Sequence, residues 1–387
     1  MHTHRRTGAL GAGRMERAVV NVRALFPGLD GTIYLNTATM GVGCAPARAA
    51  YERAVDQWSR GKFDWLEAER AGEDARSFFA ELIGGHADEV AIIPTVSAAA
   101  GLVAANLPAA RSGENVVVGE SEFSSNFFPW ARLRERGYDV RTVAAARFGE
   151  VDAFAGLTDA GTRLIAVSAV HSPTGYRADL RGLGQVAKQS GAWFFVDACQ
   201  AAGAVPLDVA RDGIDFLAAA SHKFLLSARG MGYLYVRRAL LDRIHPIGPG
   251  WKAGRKPLES FYGPAIDLSP TASKLDMSLV WFAALAEQAT FAMFRGFGID
   301  AILERNAHLS RRLHEALAGH VGGFEPFPAA HRSTIVSVEV RDTDQTLARL
   351  RDANVIASVR AGRVRLAVHF YNLEEEIDRV AELLGAE

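Results

Sequence analysis

Two apolar runs, each followed by a charged side chain, constrain the fold of this chain more than any other feature. Residues 193–196 are followed by Asp197, and residues 216–220 are followed by a short polar segment that contains Lys223. Uninterrupted apolar runs of this length are typical of parallel strands that are buried on both faces of a sheet. Because the carboxyl ends of parallel strands meet at one edge of the sheet, we expect Asp197 and Lys223 to lie close together.

Similar runs recur along the chain and alternate with helical patterns. They lie at 91–94, 115–118, 140–143, 163–168, 193–196, 216–219 and 232–236. This alternation predicts an α/β fold with a mostly parallel, seven-stranded sheet covered by helices, followed by a small α+β C-terminal domain. A proline- and glycine-rich stretch ends the large domain, and one long helical stretch, 279–318, joins it to the small domain. The predicted division is a tail at 1–30, a large domain at 31–264, and an interdomain helix with the small domain at 265–387.

Composition limits the classes of function. The 387 residues carry a formal net charge of -1, which disfavours nucleic acid or an anionic membrane as the main partner, since those are normally bound by a basic excess. Cys44 and Cys199 are too few for a disulfide framework or a four-ligand zinc site, so we expect no metal and a reducing, cytoplasmic location. The first residues lack the apolar region of a secretory signal, and no apolar run reaches the roughly 18 residues that span a bilayer.

A lysine and an aspartate at neighbouring strand ends are the pair that pyridoxal 5′-phosphate chemistry needs. The lysine forms a Schiff base with the cofactor aldehyde, and the aspartate keeps the pyridine nitrogen protonated so that the ring can accept electrons from a substrate carbanion. Lys223 also precedes a glycine-rich turn, 227–232, that leads into another strand. The alternatives are a solvated surface lysine and a helix N-cap at Asp197. Lys223 and Asp197 are the predicted catalytic pair.

Several segments resemble the class V aminotransferases, a family of fold-type I pyridoxal-phosphate enzymes that includes cysteine desulfurases, kynureninases and isopenicillin N epimerase-like proteins. Residues 122–130, Glu-Phe-Ser-Ser-Asn-Phe-Phe-Pro-Trp, are similar to the desulfurase segment Glu-His-His-Ala-Asn-x-x-Pro-Trp. The resemblance covers residues 31 to 385. It implies a fold-type I architecture, pyridoxal 5′-phosphate as the cofactor, and a homodimer whose sites are completed by the partner chain.

The resemblance also implies cofactor contacts. Phe123 falls where the family places the side chain that stacks on the cofactor ring, and a flat π-face suits that role. Residues 94–100 match the phosphate turn, so Val96 and Ser97 are implied phosphate contacts at the start of a helix predicted at 98–107. A helix N-cap is the alternative role for Ser97. Three more implied contacts are Gln200 with the phenolic oxygen, and Ser221 and His222 with the phosphate.

Implied substrate contacts lie in two other segments. Residues 355–378 resemble the end of the class II desulfurases, and Arg365 falls on the arginine that binds the substrate α-carboxylate, a role that suits a planar guanidinium. Arg360 is a second candidate. The family's asparagine is missing from 171–175, where Ser172 or His171 is the expected substitute. Residues 274–278 resemble the segment that crosses to the partner subunit's phosphate, with no fixed register.

One departure from the desulfurases bears on the reaction. Their catalytic cysteine lies between the positions of Arg360 and Arg365, and here that loop is Ala-Gly-Arg-Val. We therefore expect no persulfide-forming activity, and expect Cys199 to pack beneath the cofactor. The predicted protein is an enzyme that acts on an α-amino acid through a Cα carbanion, by amino-group transfer or by β-elimination of the C–S lyase type. The alternatives are an epimerase or a decarboxylating enzyme and, in another class, a non-catalytic binding module, which the presence of Lys223 disfavours.

Overall fold

The computed structural model describes residues 22–322 and 324–385. Its strands are β1 (Ile33–Tyr34), β2 (Val90–Ile93), β3 (Asn115–Gly119), β4 (Asp139–Val143), β5 (Thr162–Ser168), β6 (Trp193–Asp197), β7 (Phe216–Ala220), β8 (Gly232–Val236), β9 (Ile335–Val338), β10 (Val355–Ile356), β11 (Ser358–Arg360) and β12 (Arg363–Ala367). Its α-helices are α1 (Ala45–Ser59), α2 (Trp65–Leu82), α3 (Val96–Asn106), α4 (Phe128–Ala131), α5 (Val151–Ala155), α6 (Leu180–Ser190), α7 (Trp281–Phe297), α8 (Ile299–His320), α9 (Thr343–Asp352) and α10 (Glu374–Gly385).

A seven-stranded sheet forms the centre of the molecule. Its strand order is β2-β8-β7-β6-β5-β3-β4, and β8 runs antiparallel to both of its neighbours. Successive side chains alternate between two hydrophobic cores: Phe194 and Leu217 face one core, and Phe195 and Phe216 face the other. Burial on both faces explains why these strands are continuous apolar runs. The predicted mostly parallel, seven-stranded sheet of a fold-type I enzyme is confirmed.

A glycine divides the stretch that was predicted as one long helix. Gly298 has φ +86 and separates α7 from α8, a backbone conformation that favours glycine. Phe291 of α7 packs in the core of the large sheet, whereas Leu309 and Leu313 of α8 pack in the core of the small domain. Two helices therefore join the domains. Within the described residues, no helix has the length and apolar character that a membrane crossing requires.

The small domain includes β1, which lies near the start of the described chain. Its three-stranded sheet has the order β11-β12-β9, and β10 pairs in parallel with β1 through Ile33 and Val355. Leu35, which follows β1, is fully buried in the small-domain core. The structure therefore differs from the predicted division, which placed this strand in the large domain. Because β1 belongs to the small domain, the residues after β1 pass directly from that domain to the carboxyl ends of the large sheet.

The predicted N-terminal tail is also only partly a tail. Val22, Phe26 and Leu29 are buried in the core of the large domain. The Phe26 ring lies 5.0 Å from that of Tyr371, centroid to centroid. These apolar contacts make residues 22–30 part of the fold, which corrects the prediction of a tail ending at 30. Residues 1–21 lie outside the described residues.

Candidate active site

A cavity of about 290 Å³ lies where the carboxyl ends of the sheet strands face the small domain. The structure brings the following predicted site residues together in its lining: Val96, Ser97, Phe123, Ser172, Asp197, Gln200, His222, Lys223, Arg360 and Arg365. Ser168 and Asp197, the last residues of β5 and β6, pair with each other, and Asp197 pairs with Ala218, two residues before the end of β7. These strand ends form the floor of the cavity.

Asp197 is a buried carboxylate at the end of β6. Its Oδ1 accepts a hydrogen bond of 2.8 Å from the Cys199 N–H, so it stabilises the turn after the strand. Burial raises the pKa of Asp197 above its ordinary value, while that hydrogen bond and the positive charge of Lys223 oppose the rise. A protonated pyridine nitrogen would supply the further positive charge that a buried carboxylate favours.

Lys223 follows β7 after a short turn and points into the cavity. Its Nζ lies 5.6 Å from the centroid of the Phe123 ring. The backbone is fixed by a close approach of another segment: the Gly41 N–H donates to the His222 carbonyl over 2.8 Å, and a Cβ at Gly41 would lie 2.2 Å from the Lys223 carbonyl oxygen. Glycine at position 41 thus allows the segment after β1 to pass beside the lysine.

The N-terminus of α3 offers a site for an anion. Its N-cap is Thr95, whose Oγ1 accepts from the Ala98 N–H over 3.1 Å and lies 3.0 Å from the Ser97 Oγ. The cap is therefore Thr95, which corrects the alternative that Ser97 caps the helix. The helix begins at Val96, two residues earlier than predicted. As at any helix N-terminus, its first N–H groups have no partners inside the helix. Such a helix start would hold the cofactor phosphate.

Two basic side chains lie beside this helix start. Burial, together with the positive charges of Lys223 and Arg229, lowers the pKa of His222 to about 4, so its imidazole is neutral at physiological pH. Arg229 lines the cavity and is exposed. The sequence analysis missed Arg229. Its place in the glycine-rich turn after Lys223 is the signal that could have found it.

Two predicted contacts lie outside the cavity. The Ser221 hydroxyl is fully buried and donates to the Met231 carbonyl over 2.7 Å. His171 stacks on Phe148 with a centroid separation of 4.0 Å, and its Nδ1 lies 2.8 Å from the Thr174 hydroxyl. Each side chain is held by partners behind the cavity wall. The geometry therefore corrects Ser221 and His171 from ligand contacts to supports of the wall.

Gln200 and Phe123 are placed to contact a planar ring. The Gln200 Nε2 donates to the Ala38 carbonyl over 3.0 Å and to the Ser172 Oγ over 3.2 Å, while its buried Oε1 has no partner among the described residues. Phe123 is 56% exposed, so the face of its ring is open to the cavity. Together with Asp197 and Lys223, these side chains match the groups of pyridoxal 5′-phosphate, which this site fits.

Arg365 forms the opposite side of the cavity. It is 1% exposed, and its guanidinium donates to the Ser172 Oγ over 3.0 Å and to the Thr39 Oγ1 over 2.8 Å. Burial lowers the pKa of Arg365 to about 10, and the positive charge of Arg360 contributes. Thr39 was missed by the sequence analysis, because its role arises from contacts with residues more than 300 positions away.

The hairpin that carries both arginines is too short for a catalytic loop. Arg360 pairs with Arg363, so that Ala361 and Gly362 alone form the turn, both with positive φ. This is the two-residue geometry of a tight hairpin. Cys199 does not replace the missing thiol, because burial and the nearby Asp197 raise its pKa to about 12. Neither segment supplies a reactive thiolate to the cavity.

Comparisons with known proteins agree with this geometry. The uncharacterized aminotransferase YcbU of Bacillus subtilis (strain 168) is 28% identical over an alignment that covers 96% of this chain and 99% of that protein. A probable cysteine desulfurase of Methanothermobacter thermautotrophicus is 28% identical over 94% of this chain and 96% of its own length. Among solved structures, a complex of the cystine C–S lyase C-DES with cysteine persulfide has a TM-score of 0.82 at 19% identity, over 93% of this chain and 99% of that one.

The similarity to the solved structure concerns the fold. The family model described as aminotransferase class V matches residues 51–380, which include most of both domains and every residue of the cavity lining except Ala38 and Thr39. The predicted family and cofactor are thereby confirmed. This protein belongs to the class V aminotransferase family, and its cofactor is pyridoxal 5′-phosphate.

Proposed function

We propose that this protein transfers the amino group of an α-amino acid, with Lys223 as the side chain that moves the proton. Pyridoxal phosphate, when bound, withdraws electron density from the substrate Cα. Lys223 lies where its Nζ would take the proton from the substrate Cα and move it to the cofactor side of the amino nitrogen, which is the proton shift that amino-group transfer requires. The carboxylate of Asp197, at the end of β6, would balance the positive charge of the protonated pyridine nitrogen.

The observation that carries this proposal is the lack of a second proton carrier among the described residues that line the cavity. The pKa of His222 is lowered to about 4, and that of Cys199 is raised to about 12, so neither side chain exchanges protons readily near neutral pH. The other lining residues are arginines, hydroxyls, an amide, apolar side chains and the buried Asp197. Epimerisation would require a second proton donor, on the other side of Cα.

We infer that Arg365 binds the substrate α-carboxylate. Its two terminal nitrogens are held by Ser172 and Thr39, which fixes the plane of the guanidinium. A charge-assisted pair of this kind orients Cα against the Nζ of Lys223. The same contact disfavours decarboxylation, because it stabilises the carboxylate that would have to leave.

The test is a single turnover of the purified enzyme with a panel of amino acids. Amino-group transfer predicts pyridoxamine phosphate and a 2-oxo acid in equal amounts, each close to the amount of enzyme. Pyruvate with a released β-substituent, and with the cofactor unchanged, would replace this proposal with a C–S lyase type β-elimination. Recovery of the opposite enantiomer would replace it with epimerisation.

We further propose that the enzyme is a cytoplasmic homodimer in which the partner completes each site. Exposed apolar side chains support an interface, since Tyr262 is 91% and Ile266 79% exposed. In the segment 274–278, Lys274 and Asp276 are buried within the chain, which leaves the exposed Ser278 as the candidate contact with the partner's phosphate. Two free cysteines agree with a reducing compartment. Light scattering tests the dimer, and a fully active monomer would contradict it.

A further inference from the structure

Two guanidinium groups converge on one hydroxyl at the small-domain side of the cavity. Arg365 donates to the Thr39 Oγ1 over 2.8 Å, and Arg360 donates to the same atom over 3.3 Å. Both side chains line the cavity. One small hydroxyl thus holds two positive charges next to each other.

No acidic side chain of the described residues forms an ion pair with either arginine. The other partners of Arg360 and Arg365 are the Val359 carbonyl and the carbonyl and hydroxyl of Ser172, which carry no negative charge. The Arg365 Nε is buried without a partner. The one carboxylate in the lining, Asp197, lies at the sheet side of the cavity. Adjacent like charges repel, so this arrangement favours bound anions.

The hairpin register places the two arginines one after the other along the strand direction, both facing the cavity. Arg365 pairs with Ser358, and Arg360 lies two residues beyond Ser358 toward the hairpin tip, about 7 Å along the strand. Arg365 is buried and Arg360 is exposed. A carboxylate at Arg365 therefore leaves Arg360 free to meet a second anionic group, farther out on the same ligand.

We propose that Arg360 and Thr39 form a second anion subsite, and that the preferred substrate is an α-amino acid whose side chain carries a carboxylate. This inference rests on the proposed function, since it assumes that Arg365 holds the α-carboxylate. Arg360 then determines specificity by pairing with the side-chain carboxylate. Thr39 positions both guanidinium groups.

The test compares matched acidic and neutral ligands on the holoenzyme. Glutamate is compared with glutamine, and aspartate with asparagine, by the change in cofactor absorbance on titration. We expect each acidic member to bind at least tenfold more tightly. Arg360→Gln should weaken binding of the acidic members by about ten- to a hundredfold and leave the neutral members within about twofold, because one charge-assisted contact is lost. Arg360→Lys should restore part of the preference.

Arg363→Gln is the matched control, because Arg363 lies on the same hairpin but pairs with Glu339 outside the cavity. It should retain the full preference. Equal losses for acidic and neutral members in Arg360→Gln would overturn the inference, as would a wild-type enzyme that does not prefer acidic members.

A readout without turnover separates this inference from the proposed function. Glutarate, a dicarboxylate without an amino group, should bind more tightly than butyrate in calorimetry, and Arg360→Gln should abolish the difference. If amino acids change the cofactor spectrum but no dicarboxylate preference exists, the second subsite is wrong and the amino-transfer site stands. If the preference exists but no 2-oxo acid forms from any amino acid, the proposed reaction is wrong and the subsite stands.

Discussion

The two walls of the active-site cavity are built in different ways. The sheet wall, formed by Thr95, Ser97, Asp197, His222 and Lys223, consists of one helix start and of residues at or just after strand ends, all within the large domain. The small-domain wall, formed by Thr39, Ser172, Arg360 and Arg365, is assembled from three segments that are distant in the sequence and are joined by hydrogen bonds.

This difference separates cofactor chemistry from substrate choice. The sheet wall carries the groups that fit pyridoxal phosphate, and the family model covers all of it. The small-domain wall carries the cations that fit carboxylates, and its two-residue hairpin replaces the cysteine loop of the desulfurases. Substitutions in the sheet wall should therefore abolish chemistry, and substitutions in the small-domain wall should change which substrate is accepted.

The largest effect is expected for Lys223→Ala. Loss of the amine removes the proton carrier, so kcat should fall on the order of 10⁴-fold. Steady-state kinetics on an amino acid that the panel identifies provide the measurement. Lys274→Ala is a control for the loss of a lysine, since Lys274 donates to the Leu241 carbonyl outside the cavity. Turnover by Lys223→Ala near the wild-type rate would remove Lys223 from the mechanism.

Asp197→Asn should lower kcat by about 10²- to 10³-fold, because a neutral amide no longer balances a protonated pyridine nitrogen. Cofactor binding should persist, since the side chain keeps its shape and the Asn Oδ1 can still accept from the Cys199 N–H. Equilibrium dialysis with pyridoxal phosphate and kcat are measured together. Unchanged kcat would show that the charge of Asp197 has no part in the reaction.

Arg365→Ala tests the small-domain wall. Loss of the carboxylate contact should raise KM by about ten- to a hundredfold and leave cofactor binding near the wild-type value. The distinction between the two walls fails if Arg365→Ala no longer binds the cofactor.

The contact between the segment after β12 and the turn that carries Lys223 should be sensitive to acid. His369 is fully buried, its Nε2 donates to the Phe224 carbonyl beside Lys223, and its Nδ1 accepts from the Phe370 N–H. Burial lowers its pKa to about 4 from an ordinary value near 6.5, so the unfolded state binds the proton more readily. The free energy of unfolding should therefore fall as the pH drops from about 6.5 to about 4, by up to ~3 kcal/mol from this group.

Urea unfolding at pH 7 and pH 5 measures this dependence. His369→Gln should reduce the difference between the two pH values, because the titrating group is gone. An equal difference in wild type and variant would assign the acid sensitivity to other groups, such as His171, whose pKa is also lowered to about 4.

The smallest effect is expected for the double substitution of Cys44 and Cys199 by alanine. Neither thiol is placed to accept sulfur, so kcat/KM should stay within a few-fold of wild type. Circular dichroism and the cofactor spectrum check the fold. Loss of activity with fold and cofactor intact would mean that a thiol takes part in the reaction after all.

The sheet wall was largely predictable from the sequence, for a physical reason. Doubly buried strands leave continuous apolar runs, and the residues that follow them must meet at one edge, which located Asp197 and Lys223. The direction of a side chain beyond a strand end is not encoded in this way. Ser221 and His171 therefore looked like contacts, although local hydrogen bonds turn both of them into the wall.

The small-domain wall was less predictable. Arg365 came from a family resemblance, whereas Thr39 depends on the pairing of two-residue strands, β1 and β10, that lie far apart in the chain and have no local pattern. Other missed features did leave a signal. Thr95 directly precedes a helical pattern, and Gly298 interrupts one, so both the cap and the break between α7 and α8 could have been read from the sequence.

Borohydride reduction of the wild-type holoenzyme, followed by peptide mass spectrometry, tests the central claim most directly. Reduction fixes the cofactor to the lysine that holds it. The geometry of the cavity predicts one modified site for each chain, at Lys223. A cofactor attached to another lysine, or a holoenzyme that no lysine holds covalently, would contradict the assignment of this cavity as the active site.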